Sequence, residues 1–234
     1  MSSVIDSHSN THSNSNTNSM SIVAVIGQKG GGGKTTTSLS LATAAAEVGK
    51  AAVVIDIDQQ ANAVKWRGRR KVDSVAVIGA AQSRIKQTLE TARTHGAEFI
   101  VIDCPGHNDS AATEAVRAAD IVILPVEAQM FHFDTLPAMR DLVRIGGGKP
   151  TCLLITKLHP SASVLAEKLK KMMEKTYAMS VCPQHLSRLD IYATSTDIGK
   201  TPIEQEPRGK AAEEIRNLYA FVCEQISKQR KHHG

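Results

Sequence analysis

Short runs of apolar residues alternate along this chain with longer segments in which apolar residues recur at helical spacing. The runs predict strands at residues 21–27, 51–56, 98–103, 120–126, 151–156 and near 179–183. The segments between them predict helices at residues 34–48, 80–94, 110–118, 133–145, 161–177 and 209–230. Because the Val- and Ile-rich runs are nearly continuous, they favour parallel strands that are buried on both faces. The pattern predicts an α/β fold, a doubly wound and mostly parallel sheet flanked by helices, with its ligand site at the carboxyl ends of the strands.

The same pattern predicts one folded domain with a short tail at each end. Residues 1–20 are nearly all Ser, Asn, Thr and His, which is too polar a composition to bury a core, so we expect them to be disordered. The folded domain is expected at residues 21–230, which is long enough for a sizeable core. Residues 231–234 then form a short basic tail.

Composition narrows the functional classes only a little. The chain has 28 Lys and Arg against 23 Asp and Glu, and its formal net charge of +5 permits contact with nucleic acid without establishing it. No apolar run reaches the roughly 18 residues of a membrane span, and no amphipathic anchor follows the last predicted helix, so we expect no membrane binding. The four cysteines are widely spaced, which favours a reducing cytoplasm.

The first predicted strand leads into four consecutive glycines, which are followed by Lys34 and Thr35. Glycines let the backbone turn its N–H groups inward around phosphate oxygens, and the N-terminus of the next helix adds positive potential. In such a loop the lysine reaches the β- and γ-phosphates and the hydroxyl binds Mg²⁺. The general pattern G-x-x-x-x-G-K-[ST] fails only at its first position, which is Gln28. We therefore predict a nucleotide site; a solvated glycine-rich hinge is the alternative.

Two predicted strands end in aspartates. Asp103 ends one strand and would orient a water on Mg²⁺, because this ion commonly keeps several of its waters. Asp56 and Asp58 end another strand and, as alternate residues, can share the face toward the phosphates. The alternative for each is an aspartate that begins a turn or caps the end of its strand. Since the carboxyl ends of parallel strands converge, the favoured interpretation places carboxylates beside a metal ion.

These motifs together resemble the ParA/MinD family of ATPases. The segment from Lys29 to Thr35 resembles the deviant Walker A motif of that family, in which Lys29 is the additional signature lysine. Residues 56–60 resemble its D-x-D-P-Q segment, with Gln59 in place of proline, and the strand that ends at Asp103 resembles a Walker B strand. The resemblance covers roughly residues 21–228 and is nearest to short plasmid partition forms such as ParF.

The resemblance implies a Mg²⁺-dependent ATPase whose two subunits enclose two nucleotides, so that ATP holds the dimer together. Lys29 would reach the phosphates of the other subunit, and Asp58 would position or deprotonate the attacking water. The catalytic residues are then Lys29, Lys34 and Asp58, and Mg²⁺ is held, directly or through water, by Thr35, Asp56 and Asp103. The implied contacts to ATP or ADP are Lys29, Gly30, Gly31, Gly32, Gly33, Lys34, Thr35, Thr36 and, against the adenine, Pro202.

The resemblance also implies partners. Nonspecific DNA contacts are expected in the basic C-terminal third, at Arg188, Arg208, Lys210 and Arg216; a scattered solvated surface is the alternative. The basic run at residues 67–71 is either solvated or a partner contact. Met130, Phe131 and Phe133 are either dimer contacts or plain core.

The implied function is a cytoplasmic, nucleoid-associated partition ATPase that acts as a homodimer, or as a higher polymer. A centromere-binding adaptor of the ParB or ParG kind would stimulate its hydrolysis of ATP. Two alternatives stay open: an orphan ParA-like ATPase that positions a protein cargo on the nucleoid, and an ATP-dependent regulator that forms filaments.

Overall fold

The computed structural model describes residues 20–107, 109–128 and 134–233. Its strands are β1 (Ser21–Val25), β2 (Ala52–Asp56), β3 (Val75–Gly79), β4 (Phe99–Asp103), β5 (Ile121–Glu127), β6 (Thr151–Leu158) and β7 (Ser180–Ser187). They form one seven-stranded sheet in the order β3-β2-β4-β1-β5-β6-β7, and every pairing in it is parallel. The predicted fold class is therefore confirmed.

Helices cover both faces of this sheet. They are α1 (Lys34–Glu47), α2 (Asn62–Arg69), α3 (Ile85–Thr94), α4 (Asp109–Ala118), α5 (Leu136–Ile145), α6 (Ser163–Tyr177), α7 (Ile191–Asp197), α8 (Pro202–Gln205) and α9 (Lys210–His233). Successive strand side chains point to opposite faces of the sheet, so the hydrophobic core has two halves. Ile22 and Ala24 pack toward α3, α4, α5 and α6 on one face. Val23 and Val25 pack toward α1, α2 and α9 on the other. Among the described helices, none has the length and apolar character needed to cross a membrane.

The structure corrects several predicted boundaries. Strand β3 and helices α2, α7 and α8 were not predicted, and α3 begins at Ile85 rather than at residue 80. Strand β3 lies at the edge of the sheet, where only Val75 of its five residues is buried, so it lacks the apolar run of a central strand. The predicted basic tail instead continues α9 to His233. Residues 1–19, 108, 129–133 and 234 lie outside the described residues, and with them Met130, Phe131 and Phe133.

The strand order brings the predicted site together. Strand β4 lies between β1 and β2, with Asp103 in register with both Val25 and Asp56. The glycine-rich loop follows β1, so it emerges beside the carboxyl end of β4. Parallel pairing therefore places the loop and both strand-end aspartates together at the carboxyl ends of the central strands.

A buried arginine ties α2 to the segment before α8. The Arg70 side chain is fully buried and donates to both carboxylate oxygens of Glu204, at 2.9 and 2.7 Å, and to the carbonyl of Gly199 at 3.0 Å. Its guanidinium lies 4.3 Å from the centre of the Trp66 ring, and the Trp66 indole N–H donates to the carbonyl of Lys200. Within the basic run at residues 67–71, Arg70 is thus a structural residue, whereas Arg69 and Lys71 are exposed.

We expect Arg70→Met to lower the free energy of unfolding by about 3 kcal/mol, because the loss of one partner leaves the Glu204 carboxylate without its buried counter-charge. Urea unfolding followed by circular dichroism measures this. The matched control is Arg67→Met, since Arg67 pairs with Asp73, whose side chain is 84% exposed, and such surface pairs are worth at most about 1 kcal/mol. Equal losses in the two variants would contradict the structural role of Arg70.

Candidate functional site

The glycine-rich loop has the backbone geometry that its glycines suggest. Gly31 and Gly33 have φ angles of 81° and 92°, in the left-handed region that a side chain disfavours. Gly33 directly precedes the first residue of α1, so the N–H groups of the first turn face the loop. The hydroxyl of Thr156 donates to the carbonyl of Gly32 at 3.0 Å and fixes the loop against β6. The result is a preformed concavity of the kind that holds phosphate.

Lys34 lies beneath this loop. Its ammonium donates to the carbonyl of Lys29 at 3.0 Å. Burial lowers the pKa of Lys34, and the nearby Asp103 and Asp58 carboxylates oppose that shift. The loop after β4 approaches so closely that a Cβ on Gly106 would lie 3.3 Å from the Lys34 amine and 3.4 Å from the Gly30 nitrogen. The amine is therefore held at the bottom of the loop, and its contact with the β- and γ-phosphates stays a prediction.

Asp103 is completely buried and accepts two hydroxyl hydrogen bonds from α1. Thr35 donates to one oxygen at 2.7 Å, and Ser38 donates to the other at 3.0 Å. Burial raises the pKa of Asp103 to about 7, although these hydrogen bonds act in the opposite direction. Ser38 was not predicted, yet its position three residues after Thr35 puts both hydroxyls on one face of α1. A hydroxyl and a carboxylate in contact form an all-oxygen donor set of the kind that suits Mg²⁺.

Asp56 lies beside Asp103, but its oxygens point to the start of α2. One oxygen accepts from the N–H of Asp58 at 3.1 Å, and the other accepts from the N–H groups of Ala63 and Val64 at 2.9 and 3.2 Å. Burial raises the pKa of Asp56. The contact with Asp58 closes the exit from β2, which is the alternative that the sequence left open. The other two contacts cap α2, a helix that was not predicted, because the unpaired N–H groups of a helix start attract a carboxylate. The expected orientation toward the phosphates is corrected, and a place for Asp56 in the metal shell stays a prediction.

Asp58 lies on the wall of the phosphate site. It lines a cavity of about 830 Å³ together with the glycine-rich loop, Gln59, Gln60 and Gly106. One of its oxygens accepts from the N–H of Gln60 at 2.9 Å, and the next turn closes through the carbonyl of Asp58 and the N–H of Ala61. A glutamine in place of the family's proline is therefore compatible with a carboxylate that faces the site.

A second cavity of about 470 Å³ adjoins the first. It is lined by the ends of β6 and β7 and by α7, including Leu186, Tyr192 and Asp197. Pro202, the predicted adenine contact, lines neither cavity and is buried as the first residue of α8. The reason is local: Thr201 caps α8 together with Glu204, and its hydroxyl bonds to that of Thr43 on α1, which turns the segment into the core. Residues 186–197, and not Pro202, thus line the space beside the first turn of α1.

The four arginines and lysines predicted to contact DNA differ in their surroundings. Arg188 is 65% exposed and lies 3.3 Å from the Glu127 carboxylate, and Arg208 is exposed. The Lys210 amine donates to the carbonyl of Pro160. Arg216 forms a bidentate pair with Glu47 at 2.8 and 2.6 Å and therefore joins α9 to α1.

Two of these residues lie near each other, at the carboxyl end of β6. The N–H of Arg188 donates to the carbonyl of Leu158, two residues before the Pro160 that holds Lys210. Arg216 in turn donates to the carbonyl of Pro207. Arg188 and Lys210 thus lie beside the carboxyl end of β6, whereas Arg216 lies at the carboxyl end of α1 beside Glu47.

An ion cluster beside the loop was not found from the sequence. Glu127 is buried at the end of β5 and lies 3.3 Å from the Lys157 amine as well as from Arg188. The sequence could have indicated Glu127, because it is a carboxylate at the end of a buried strand, as Asp56 and Asp103 are. The position of Lys157 depends on its backbone conformation, for which the sequence carries no signal.

Comparison with known proteins places this geometry among nucleotide-binding proteins. The family model described as the CobQ/CobB/MinD/ParA nucleotide binding domain matches residues 23–181. The sporulation initiation inhibitor protein Soj of Bacillus subtilis is 26% identical, over 86% of this chain and 98% of its own length. The chromosome-partitioning ATPase Soj of Thermus thermophilus is 25% identical, over 87% of this chain and 96% of its own length.

Among solved structures, the septum site-determining protein MinD of Pyrococcus horikoshii, complexed with Mg-ADP, has the same fold. Its TM-score is 0.68 at 18% identity, over 87% of this chain and 96% of that one.

Proposed function

Because the chain belongs to the CobQ/CobB/MinD/ParA nucleotide-binding family, we propose that it is a Mg²⁺-dependent partition ATPase. Its ATP-bound homodimer binds DNA without sequence preference and drives the segregation of a plasmid or chromosome in the cytoplasm, on the nucleoid. The observation that carries this proposal is the contact of Thr35 with the buried Asp103, beside Lys34 and opposite Asp58. The likeness to a chromosome-partitioning ATPase over nearly all of both chains supports the segregation role.

The residues present fit a magnesium nucleotide. The N–H groups of residues 30–36 and the Lys34 amine hold the phosphates, and the base lies in the cavity against α7. Thr35 would bind Mg²⁺ through its hydroxyl oxygen, and Asp103 would hold the ion through a water while it accepts the hydrogen bond of the Thr35 hydroxyl. When bound, Mg²⁺ supplies positive charge to the β- and γ-phosphate oxygens.

Two further residues act on the γ-phosphate. Asp58 orients the attacking water from the wall of the larger cavity, where its contact to the Gln60 N–H holds the carboxylate in place. Lys29 of the other subunit adds a cation only when the dimer closes, which couples hydrolysis to dimer formation.

The surface around the carboxyl end of β6 is the proposed contact to DNA. Arg188 and Lys210 lie there, and together with Arg208 they are exposed and can reach phosphate oxygens, whereas Arg216 must share its guanidinium with Glu47. A centromere-binding adaptor of the ParB or ParG kind stimulates hydrolysis and so releases the dimer from DNA.

The proposed function predicts DNA binding that requires ATP and weakens with salt. Fluorescence anisotropy of a random-sequence duplex should show binding with ATP and Mg²⁺, and little binding with ADP. Arg188→Ala and Arg208→Ala should each flatten the slope of log affinity against log salt by about 1, because each removes one phosphate contact. Lys168→Ala, at an exposed lysine on α6, is the control and should leave the slope unchanged. Binding that ignores the nucleotide would contradict the proposal.

A further inference from the structure

The two cavities of the site meet at three of the residues that line them, Gly33, Thr36 and Lys157. A nucleotide with its phosphates in the larger cavity and its base in the smaller one passes over this junction with its ribose and α-phosphate. Gly33 and Thr36 belong to the phosphate loop and the first turn of α1. Lys157 comes from β6, on the opposite wall, and adds a cation at the junction.

Lys157 is held there in an unusual conformation. Its φ angle of 55° lies in the left-handed region, which a residue with a long side chain rarely adopts. Both neighbours fix the backbone: the Thr156 hydroxyl bonds to Gly32, and the carbonyl of Leu158 accepts from the N–H of Arg188. The Lys157 amine consequently lies 3.9 Å from the point that a Cβ on Gly31 would occupy. A strained residue that is held at a ligand site by its surroundings points to a function for its side chain.

The carboxylate of Glu127 holds this amine at the edge of the loop. The Lys157 amine lies 3.3 Å from one oxygen of Glu127, and Arg188 lies 3.3 Å from the other. Both distances exceed the 2.7–2.9 Å or so of a strong charged hydrogen bond. The Lys157 side chain is also 40% exposed. Glu127 thus keeps the amine close to the loop without enclosing it, and the amine can turn to a stronger anion.

We propose that Lys157 binds the nucleotide in its own subunit, by donating to the α-phosphate from the side of the base. This inference rests on the proposed function for the identity of the ligand as an adenine nucleotide. Lys157 then differs from Lys34, which lies beneath the loop, and from Lys29, which is proposed to act across the dimer. In the empty site Glu127 neutralises the amine, and in the filled site the phosphate takes that place while Arg188 remains beside Glu127.

The test compares Lys157→Met, Lys157→Arg and the wild-type protein, with Lys168→Met as the control at an exposed lysine. Calorimetric titration with Mg-ADP should show about tenfold weaker binding for Lys157→Met, because one charge-assisted hydrogen bond is lost. Lys157→Arg should retain most of the affinity. The ³¹P resonance of the α-phosphate of bound ADP should shift between Lys157→Met and the wild-type protein, and that of the β-phosphate should shift less. Unchanged affinity and an unchanged α-phosphate resonance would overturn the inference.

A second set of variants separates phosphate binding from disturbance of Glu127. Glu127→Gln removes the competing carboxylate and should tighten ADP binding a few-fold. In the Glu127→Gln background, Lys157→Met should still cost about tenfold. If that cost vanishes, the loss in the single variant came from the altered surroundings of Glu127, and the inference is wrong. A wild-type protein that binds no adenine nucleotide would instead overturn the proposed function itself.

Discussion

An Asp58→Asn variant is expected to bind ATP as tightly as the wild-type protein and to hydrolyse it at least about a hundredfold more slowly. Asparagine has the shape of aspartate and can still accept from the N–H of Gln60, so the turn that follows β2 should be retained. It lacks the negative charge and the basic oxygen that orient the attacking water. The measurements are phosphate release at saturating Mg-ATP and the dissociation constant for Mg-ATP.

The control for this variant is Asp141→Asn, at an exposed carboxylate on α5. It should hydrolyse ATP as the wild-type protein does. Hydrolysis by Asp58→Asn within a few-fold of the wild-type rate would remove Asp58 from the chemistry. A loss of ATP binding would instead give Asp58 a role in the architecture of the site.

A Lys29→Ala variant is expected to lose DNA- and adaptor-stimulated hydrolysis by about a thousandfold or more, because a cation supplied across an interface is worth about that much in phosphoryl transfer. Its subunits should still bind Mg-ATP through Lys34, and they should remain monomeric on size-exclusion chromatography with ATP. Lys34→Ala is the informative comparison, since loss of the buried amine beneath the loop should weaken nucleotide binding itself.

Mixing the two inactive proteins tests whether Lys29 acts across the dimer. A mixed dimer of Lys29→Ala and Asp58→Asn subunits contains one site with Asp58 from the first subunit and Lys29 from the second. If Lys29 acts in trans, the mixture should regain hydrolysis, up to about a quarter of the wild-type rate in the limit of random pairing into two-fold dimers. If Lys29 acts within its own subunit, neither subunit has a complete site and the mixture stays inactive, which would contradict the trans mechanism.

The central part of the architecture follows from the sequence. The apolar runs that end at Val25, Asp56 and Asp103 are long and nearly continuous, and such runs have few alternatives to buried parallel strands. Once these strands are parallel, their carboxyl ends lie side by side, so the glycine-rich loop and both aspartates lie together at those ends. The chemistry of the loop is equally local, because phosphate binding by backbone N–H groups depends on consecutive residues.

The remaining details depend on contacts between distant segments. Strand β3 is short and half-exposed, so its place beside β2 is decided by pairing and not by its own hydrophobic pattern. The direction of the Asp56 oxygens depends on where α2 begins. Arg70, in a basic run that looks solvated, is buried because Trp66 and Glu204 meet there.

Sequence alone therefore determined the central parallel strands and the glycine-rich loop at their carboxyl ends. Only the tertiary structure decided that Pro202 turns into the core, that residues 186–197 surround the second cavity, and that Lys157 and Glu127 meet beside Gly31. The physical reason is the distance along the chain over which each kind of interaction acts. Periodicity and glycine content act over a few neighbouring residues, whereas an ion pair between β5 and β6 requires both strands to be in place before its charges can interact.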